Sequence, residues 1–166
     1  MRTPLRIGAL ALCLTATFAV ALYARQDAVR SPTSAAKSAA IKIKMPPLDT
    51  TGYALARPLG ITKTVYEFVA THPEVSKHIP CFCGCEADGH KANENCFIGA
   101  RDTAGNVTRW DTHGFGCAIC VDVARESMQL YNSGADVASI RGAIERKWAP
   151  QHRTRTPTPP VPAKKP

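Results

Sequence analysis

The chain has 166 residues, enough for one domain and no more, and a formal net charge of +8. That charge lies at the two ends, because residues 1–57 carry a net +6 and residues 150–166 a net +4, whereas residues 58–149 carry a net −2. A nucleic-acid-binding domain carries its positive charge on a folded face, so this distribution disfavours nucleic acid as a partner and favours tails that keep the chain soluble or near anionic lipid headgroups.

Residues 1–24 have the composition of a targeting segment. Arg2 and Arg6 form a positive start, and an uncharged run follows from Ile7 to Ala24. The length of that run lies between the apolar core of a signal peptide and a short transmembrane helix. We predict that residues 1–24 are a signal peptide or membrane anchor, which makes the membrane a partner if the segment stays uncleaved. The rest of the chain is then exported, in the periplasm or on the outer face of the cytoplasmic membrane.

Residues 25–57 predict a flexible linker, because Ser, Ala, Lys and Pro dominate and no sustained period is present. The cysteine-rich domain is predicted at residues 58–149. Its first helix is indicated by residues that recur at helical spacing: Ile61, Val65, Phe68, Val69 and His72. Thr62 or Thr64 can cap that helix, and Pro73 breaks or restarts it.

Six of the seven cysteines lie in this domain, and all six fall between positions 81 and 120: Cys81, Cys83, Cys85, Cys96, Cys117 and Cys120. The first three belong to the run Pro80-Cys81-Phe82-Cys83-Gly84-Cys85. In an extended strand, side chains two residues apart lie roughly 6.6–7 Å apart, whereas two sulfurs on one metal ion lie about 3.8 Å apart for bonds of ~2.3 Å. The run must therefore curl to bind metal, and Gly84 permits this because glycine reaches positive φ. We interpret the run as a ligand loop.

The sequence of the second half of the domain predicts two further helices. Residues 86–95 are polar, a turn at residues 99–109 can join two short strands, and the two glycines in residues 110–116 disfavour a helix there. A helix is expected from near Cys117 until Gly134 ends it, followed by a last helix capped by Asp136. The Pro-rich, basic residues 150–166 predict a disordered tail. The expected fold class is mainly α, a small helical domain with an irregular cysteine-rich loop, flanked by disordered tails.

The cysteines indicate a soft metal, since thiolates select Cu(I), zinc or iron–sulfur clusters. The two-residue spacing within the loop favours Cu(I) over the alternative, zinc, whose ligands more often have two to four residues between them. Cys117 and Cys120 share one helix face, and the positive helix start favours their thiolates. His90 and His113 lie near cysteines in the sequence and are predicted as further ligands; a hydrogen bond to a ligand, or a solvated loop position, is the alternative for each.

Three functions remain open at this point. The leading one is an extracytoplasmic soft-metal binder, most of all for Cu(I), which serves in metal buffering, delivery or resistance. Another metal-transfer protein is then its partner. The second is a binding module whose cysteines only hold the fold, through zinc or through disulfides, which an oxidising compartment favours. The third is a thiol–disulfide oxidoreductase that uses Cys117 and Cys120. The chain lacks the βαβ pattern that accompanies such redox pairs, so an enzyme is the less favoured class.

These residues together resemble an exported bacterial family named for its PCYCGC motif, whose members are often lipoproteins. The resemblance covers roughly residues 62–148. It rests on Pro80-Cys81-Phe82-Cys83-Gly84-Cys85, Gly89-His90, Cys96-Phe97-Ile98, His113-Gly114, Cys117-Ala118-Ile119-Cys120 and Ile140-Arg141. Phe82 stands where the family name has tyrosine, and we interpret Cys13 as an ordinary residue of the leader because Leu12 is too bulky for a lipobox. The resemblance implies a shared fold and supplies no reaction or substrate.

Overall fold

A computed structural model describes residues 42–163 of the protein, so the predicted leader and the first part of the predicted linker lie outside the described residues. This range contains five helices and one two-stranded sheet. In chain order they are α1 (Leu59–Thr71), α2 (Pro73–Ser76), β1 (Ile98–Arg101), β2 (Val107–Trp110), α3 (His113–Gly116), α4 (Ala118–Asn132) and α5 (Val137–Trp148). The prediction of a mainly α fold with an irregular cysteine loop is confirmed. Within the described range, no helix is long and apolar enough to cross a membrane.

The two long C-terminal helices begin and end as predicted. Cys117 is the N-cap of α4, and Gly134 follows its last turn with φ +91°. The Asp136 carboxylate caps α5 by accepting a hydrogen bond from the Ser139 N–H at 2.8 Å. Glycine at C′ and aspartate at the N-cap satisfy backbone groups that a helix end leaves unpaired.

Helix α1 differs from its prediction at the start. Pro58 occupies the N-cap position and makes no side-chain cap. Thr62 lies inside the helix, fully buried, and its hydroxyl donates to the Arg57 carbonyl at 3.1 Å. Thr64 donates in the same way to the Gly60 carbonyl at 2.9 Å. Both threonines therefore satisfy carbonyls near the helix start, and neither is the cap.

The sheet and the short helix α3 bring the second half of the chain back onto the core. Strands β1 and β2 are antiparallel, with Ile98 paired to Trp110 and an irregularity between Ile98 and Arg101. Helix α3 forms at residues 113–116 although the two glycines of residues 110–116 were expected to disfavour a helix there. A Cβ on Gly114 would lie 2.7 Å from the Phe97 ring. This glycine therefore lets α3 approach the core closely and place His113 there.

Tyr66 organises the centre of the core. Its side chain is fully buried, and its hydroxyl donates to the Asp111 carbonyl at 2.7 Å. Its ring packs edge-on against Phe97, with centroids 4.9 Å apart, and lies 5.0 Å from Phe115. These contacts fix the segment between β2 and α3, so the position of α3 depends on an aromatic residue of α1.

The prediction of a flexible linker is wrong for residues 42–57. Four apolar side chains of this segment pack against the core: Ile43, Met45, Leu48 and Leu55. The Lys44 carbonyl accepts from the Val107 N–H at 2.9 Å, and the Trp110 indole donates to the Pro46 carbonyl at 3.1 Å. Buried apolar area and backbone hydrogen bonds at the edge of β2 outweigh the low helix and strand propensity of the segment.

The prediction of a disordered tail is wrong for residues 152–163. This segment has no helix or strand, as its prolines require, but it packs against the domain. The Thr156 side chain is 1 % exposed, and the Arg141 guanidinium donates to the carbonyls of Thr158 and Pro159. Prolines favour an extended backbone without internal hydrogen bonds, and this leaves carbonyls free to accept from the arginine.

Candidate metal centre

The cysteine loop curls as the glycine in its sequence predicted. Gly84 has φ +91°, a left-handed conformation that disfavours residues with a Cβ. A 3₁₀ turn over Cys85–Asp88 follows at once. The Sγ atoms of Cys81 and Cys83 consequently lie 3.6 Å apart, about half the separation expected in an extended strand.

Three sulfurs form a nearly equilateral triangle. The Cys120 Sγ lies 3.5 Å from the Sγ of Cys81 and 3.5 Å from that of Cys83, which are themselves 3.6 Å apart. Two sulfurs bound to one tetrahedral ion by bonds of ~2.3 Å are about 3.8 Å apart. The loop and the start of α4 therefore converge to within a few tenths of an ångström of the spacing that a shared metal ion needs.

The other cysteines surround this triangle. The Sγ atoms of Cys85 and Cys96 are 3.6 Å apart. Cys117 lies beside one corner of the triangle, with its Sγ 2.8 Å from that of Cys120. The structure thus brings all six cysteines of the predicted site into one cluster, and all six are free thiols.

Both predicted histidines also reach the cluster. The His90 Nδ1 lies 3.4 Å from the Cys96 Sγ, and the His113 Nε2 lies 3.5 Å from the Cys83 Sγ. The two rings contact each other, with centroids 5.2 Å apart. His113 also faces Asp88, whose carboxylate oxygen is 4.0 Å from its Nδ1, so an acidic group stands behind the nitrogen that points away from the sulfurs.

The donor atoms group into two sets of four. The first set contains Cys81, Cys83, Cys85 and Cys96, and the second contains Cys83, Cys96, His113 and Cys120. Within each set, all donor atoms lie within 4.8 Å of one another. Either set has the number and the types of ligand that a tetrahedral zinc site or a Cu(I)–thiolate site uses.

The cluster has a buried side and an accessible side. Four of the thiols are 0–1 % exposed: Cys81, Cys85, Cys96 and Cys120. Cys83 and Cys117 are only partly buried, and 31 % of the His113 side chain is exposed. An ion can therefore approach past Cys117, Cys83 and His113 and then meet sulfurs that water does not reach.

Residues outside the cluster hold its ligands in place. The Cys81 N–H donates to the Thr156 hydroxyl at 2.9 Å, and the Thr156 N–H donates to the Cys81 carbonyl at 3.0 Å. The buried Asn93 amide donates to the Cys120 carbonyl at 3.2 Å. The Asp111 carboxylate accepts from the His113 N–H at 2.8 Å.

Sequence reasoning missed these supporting residues. Thr156 belongs to a repetitive Thr-Pro segment, and Asn93 to a polar stretch, so neither has a local pattern that indicates a tertiary partner. Only their buried positions in the fold reveal them.

Contacts among the thiols lower the pKa values of some of them and raise those of others. The hydrogen bond with Cys120 is the main reason that the pKa of Cys81 falls to about 3. Hydrogen bonds with Cys117, Cys120 and Cys81 hold the pKa of Cys83 far below its ordinary value. The pKa values of three other thiols are raised, first by hydrogen bonds with neighbouring sulfurs and then by burial: Cys85, Cys96 and Cys120. These directions favour the thiolate form at Cys81 and Cys83.

The start of α4 supports a thiolate at Cys117 as expected, through the Cys120 N–H, but the net direction of the Cys117 pKa is upward. The hydrogen bond with Cys120 does lower the pKa of Cys117, but the bond with Cys83 and burial outweigh it and leave the pKa raised to about 11. The Cys117 Sγ accepts the Cys120 N–H at 3.4 Å, as a cap does. A neighbouring sulfur that holds negative charge opposes a second thiolate more strongly than one backbone N–H supports it.

Comparison with known proteins identifies a family described by the motif of the cysteine loop. A family model described as "Protein of unknown function with PCYCGC motif" matches residues 12–162. The match includes residues 42–57 and 152–162, which pack against the domain. No curated protein and no solved structure matches the chain. Because the family model covers most of the sequence, the chain belongs to the family of proteins with the PCYCGC motif.

Proposed function

We propose that this protein is an extracytoplasmic soft-metal binder that holds Cu(I) in its six-cysteine cluster and serves in copper buffering, delivery or resistance. The observation that carries the proposal is the triangle of Cys81, Cys83 and Cys120, whose sulfurs are 3.5–3.6 Å apart. Bound metal would connect the loop to α4, so metal binding would also stabilise the fold.

The arrangement of the sulfurs favours metal over disulfides. A sulfur forms one disulfide bond, of about 2.05 Å, and needs one partner for it. Cys83 instead has two sulfurs and an imidazole nitrogen within 3.6 Å, and Cys120 has three sulfurs at that range or closer. Convergence of several donors on one point is what metal coordination requires.

The donors favour Cu(I) over zinc as the ion. Thiolates select soft ions such as Cu(I), and the two-residue spacing of Cys81, Cys83 and Cys85 brings sulfurs together more densely than the usual zinc spacing does. Zinc, which takes four Cys or His ligands, is the alternative outcome of the metal-binding experiments.

A thiol–disulfide oxidoreductase is the second candidate, favoured by the Cys117–Cys120 sulfur distance of 2.8 Å. The raised pKa of Cys117 opposes it, because the attacking species is the thiolate. In residues 42–163 the sheet has two antiparallel strands, so the βαβ unit that accompanies redox C-x-x-C pairs is not present there.

The proposed extracytoplasmic location rests on the composition of residues 1–24. The partner that we propose is another metal-transfer protein, which would exchange the ion with this one. The partly buried Cys83 and Cys117 offer sulfurs that such a partner can reach. A fusion of residues 1–57 to a reporter that is active only outside the cytoplasm should give signal. A silent but well-expressed fusion contradicts the proposed location.

The metal proposal is tested with the full-length protein, reduced and kept anaerobic. We expect native mass spectrometry to detect bound Cu(I) after competition with a Cu(I) chelator, and an absorbance band from copper–thiolate bonds to appear. Cys83→Ser should lower the copper count, because a hydroxyl is a poor ligand for a soft ion. Cys13→Ser is the matched control and should change nothing. Three disulfides in the isolated protein, with no metal uptake after gentle reduction, would show that the cysteines only hold the fold.

A further inference from the structure

We propose that the cluster holds two monovalent ions bridged by the sulfurs of Cys83 and Cys96. This inference rests on the proposed function and assigns the number, arrangement and charge of the ions. Its starting point is that the two four-donor sets share two members, Cys83 and Cys96. Two tetrahedral sites that share two ligands share an edge, so each of these sulfurs would be bound to both ions.

The remaining donors lie on either side of the shared pair, and the positions meet where the Sγ atoms of Cys81 and Cys120 lie 3.5 Å apart. Cys81 and Cys85 belong only to the first set, and His113 and Cys120 belong only to the second. We name the first the inner position, because its unshared ligands, Cys81 and Cys85, are 0–1 % exposed. The second is the outer position, because its His113 side chain is 31 % exposed. The outer ion has an imidazole ligand at the accessible side of the cluster and is the one that exchanges first.

The geometry also discriminates between ion charges. With metal–sulfur bonds of ~2.3 Å, two tetrahedra that share an edge place their ions about 2.7 Å apart. Coulomb repulsion scales with the product of the charges, so two zinc ions would repel each other four times as strongly as two Cu(I) ions at the same separation. The repulsion between the ions across a shared edge is therefore lower for two monovalent ions than for two divalent ones, whereas either set alone has the ligands of a zinc site.

Cys117 lies outside both sets. Its sulfur is 2.8 Å from the Cys120 Sγ, which belongs to the outer position, and it is only partly buried. This places Cys117 as an entry ligand, which can hold an ion while a donor protein or chelator releases it.

The test uses the full-length, reduced protein titrated with Cu(I) alone under anaerobic conditions. We expect native mass spectrometry to find two ions per chain, and X-ray absorption spectroscopy to find a copper–copper distance of about 2.7 Å. His113→Gln and Cys85→Ser should each reduce two ions to one and abolish that copper–copper distance, the first by removing the outer position and the second by removing the inner one. His72→Gln is the matched control, because His72 contacts Glu74 on α2 and belongs to neither set.

The possible failures are distinguishable. A wild-type protein that saturates at one copper ion, or that binds two without a short copper–copper distance, overturns the two-ion arrangement and leaves the proposed function standing. Retention of both ions and of their short distance by His113→Gln overturns the assignment of the outer position. No Cu(I) uptake at all overturns the proposed function with it. The wild-type measurement decides the arrangement even if a variant does not fold.

Discussion

The loop and the start of α4, which supply five of the six sulfurs, are positioned in different ways. On the helical side, Cys117 and Cys120 are placed by one helix start, in which Cys117 caps α4 and accepts the Cys120 N–H. On the loop side, Cys81 is held by Thr156, 75 residues further along the chain. The helical side thus depends first on local helix geometry, and the loop side on a contact between residues far apart in the chain. We expect distant substitutions to disturb the loop side more than the helical side, and the following predictions test that difference.

The largest effect is expected from Arg101→Ala, which removes support from the turn before Cys96. The Arg101 guanidinium donates to the Glu94 carboxylate at 2.9 Å, and the two side chains are 12 % and 9 % exposed. It also donates to the Ala70 carbonyl at 3.0 Å. Because the substitution leaves a carboxylate buried without its partner, the free energy of unfolding should fall by about 3–5 kcal/mol.

Chemical denaturation with the apo protein measures this loss. Arg109→Ala is the control, since the side chain of that exposed arginine donates one hydrogen bond among the described residues, to the Gly99 carbonyl, and its effect should stay within about 0.5 kcal/mol. Equal losses in the two variants would show that the turn does not depend on the Arg101–Glu94 pair.

Thr156→Val should have the next largest effect. The valine side chain fills similar space but cannot accept the hydrogen bond from the Cys81 N–H, which Thr156 accepts at 2.9 Å in a buried setting. A buried donor without an acceptor costs about 1–3 kcal/mol, and the loop should loosen, so the Cu(I) affinity should fall as well. Chelator competition measures that affinity. Thr103→Val, at an exposed position in the β1–β2 turn, should leave it unchanged, and an unchanged affinity in Thr156→Val would mean that the tail does not position the loop.

Gly84→Ala and Gly105→Ala separate stability from metal binding. Both glycines have positive φ, +91° and +86°, and a Cβ at either position meets no atom closer than 3.8 Å. The left-handed conformation alone should therefore cost each variant roughly 1–2 kcal/mol. Only Gly84 lies between two ligands, so only Gly84→Ala should lower the Cu(I) affinity measured by competition. Similar affinities in both variants would contradict the role of the curled loop.

The smallest equilibrium effect is expected from Cys117→Ser. Serine is a good N-cap, so α4 should keep its start, and both proposed metal positions keep all their donors. The copper count should stay at two, while the rate of copper transfer to a chelator, followed by stopped-flow absorbance, should fall. A loss of one ion would mean that Cys117 is a permanent ligand and that the helical side contributes more than the structure assigns to it.

Much of the site could be predicted because its residues are chemically distinctive. Six cysteines between positions 81 and 120, with a glycine in the loop, indicate convergence whatever the surrounding fold. His90 and His113 were found through their proximity to cysteines in the sequence, and both lie within 3.5 Å of a sulfur. The pKa of Cys117 could not be predicted in this way, since it depends on which sulfurs lie beside it.

The errors at both flanks have one cause. Residues 42–57 and 152–163 were predicted to be unstructured from composition and lack of periodicity, which report only on regular secondary structure. Their order comes from tertiary partners, as the Val107–Lys44 and Cys81–Thr156 hydrogen bonds show. An irregular segment that packs on a core carries no periodic signal.

The sequence by itself determined the helices α1, α4 and α5, most of their ends, the curl at Gly84 and the set of donor residues, because each depends on local backbone preferences or on side-chain chemistry. Only the tertiary structure decided that Cys83 and Cys96 are shared between two donor sets, that His113 faces the accessible side, and that the tail holds Cys81. Those features depend on distances between residues far apart in the chain, which arise only when the whole core packs.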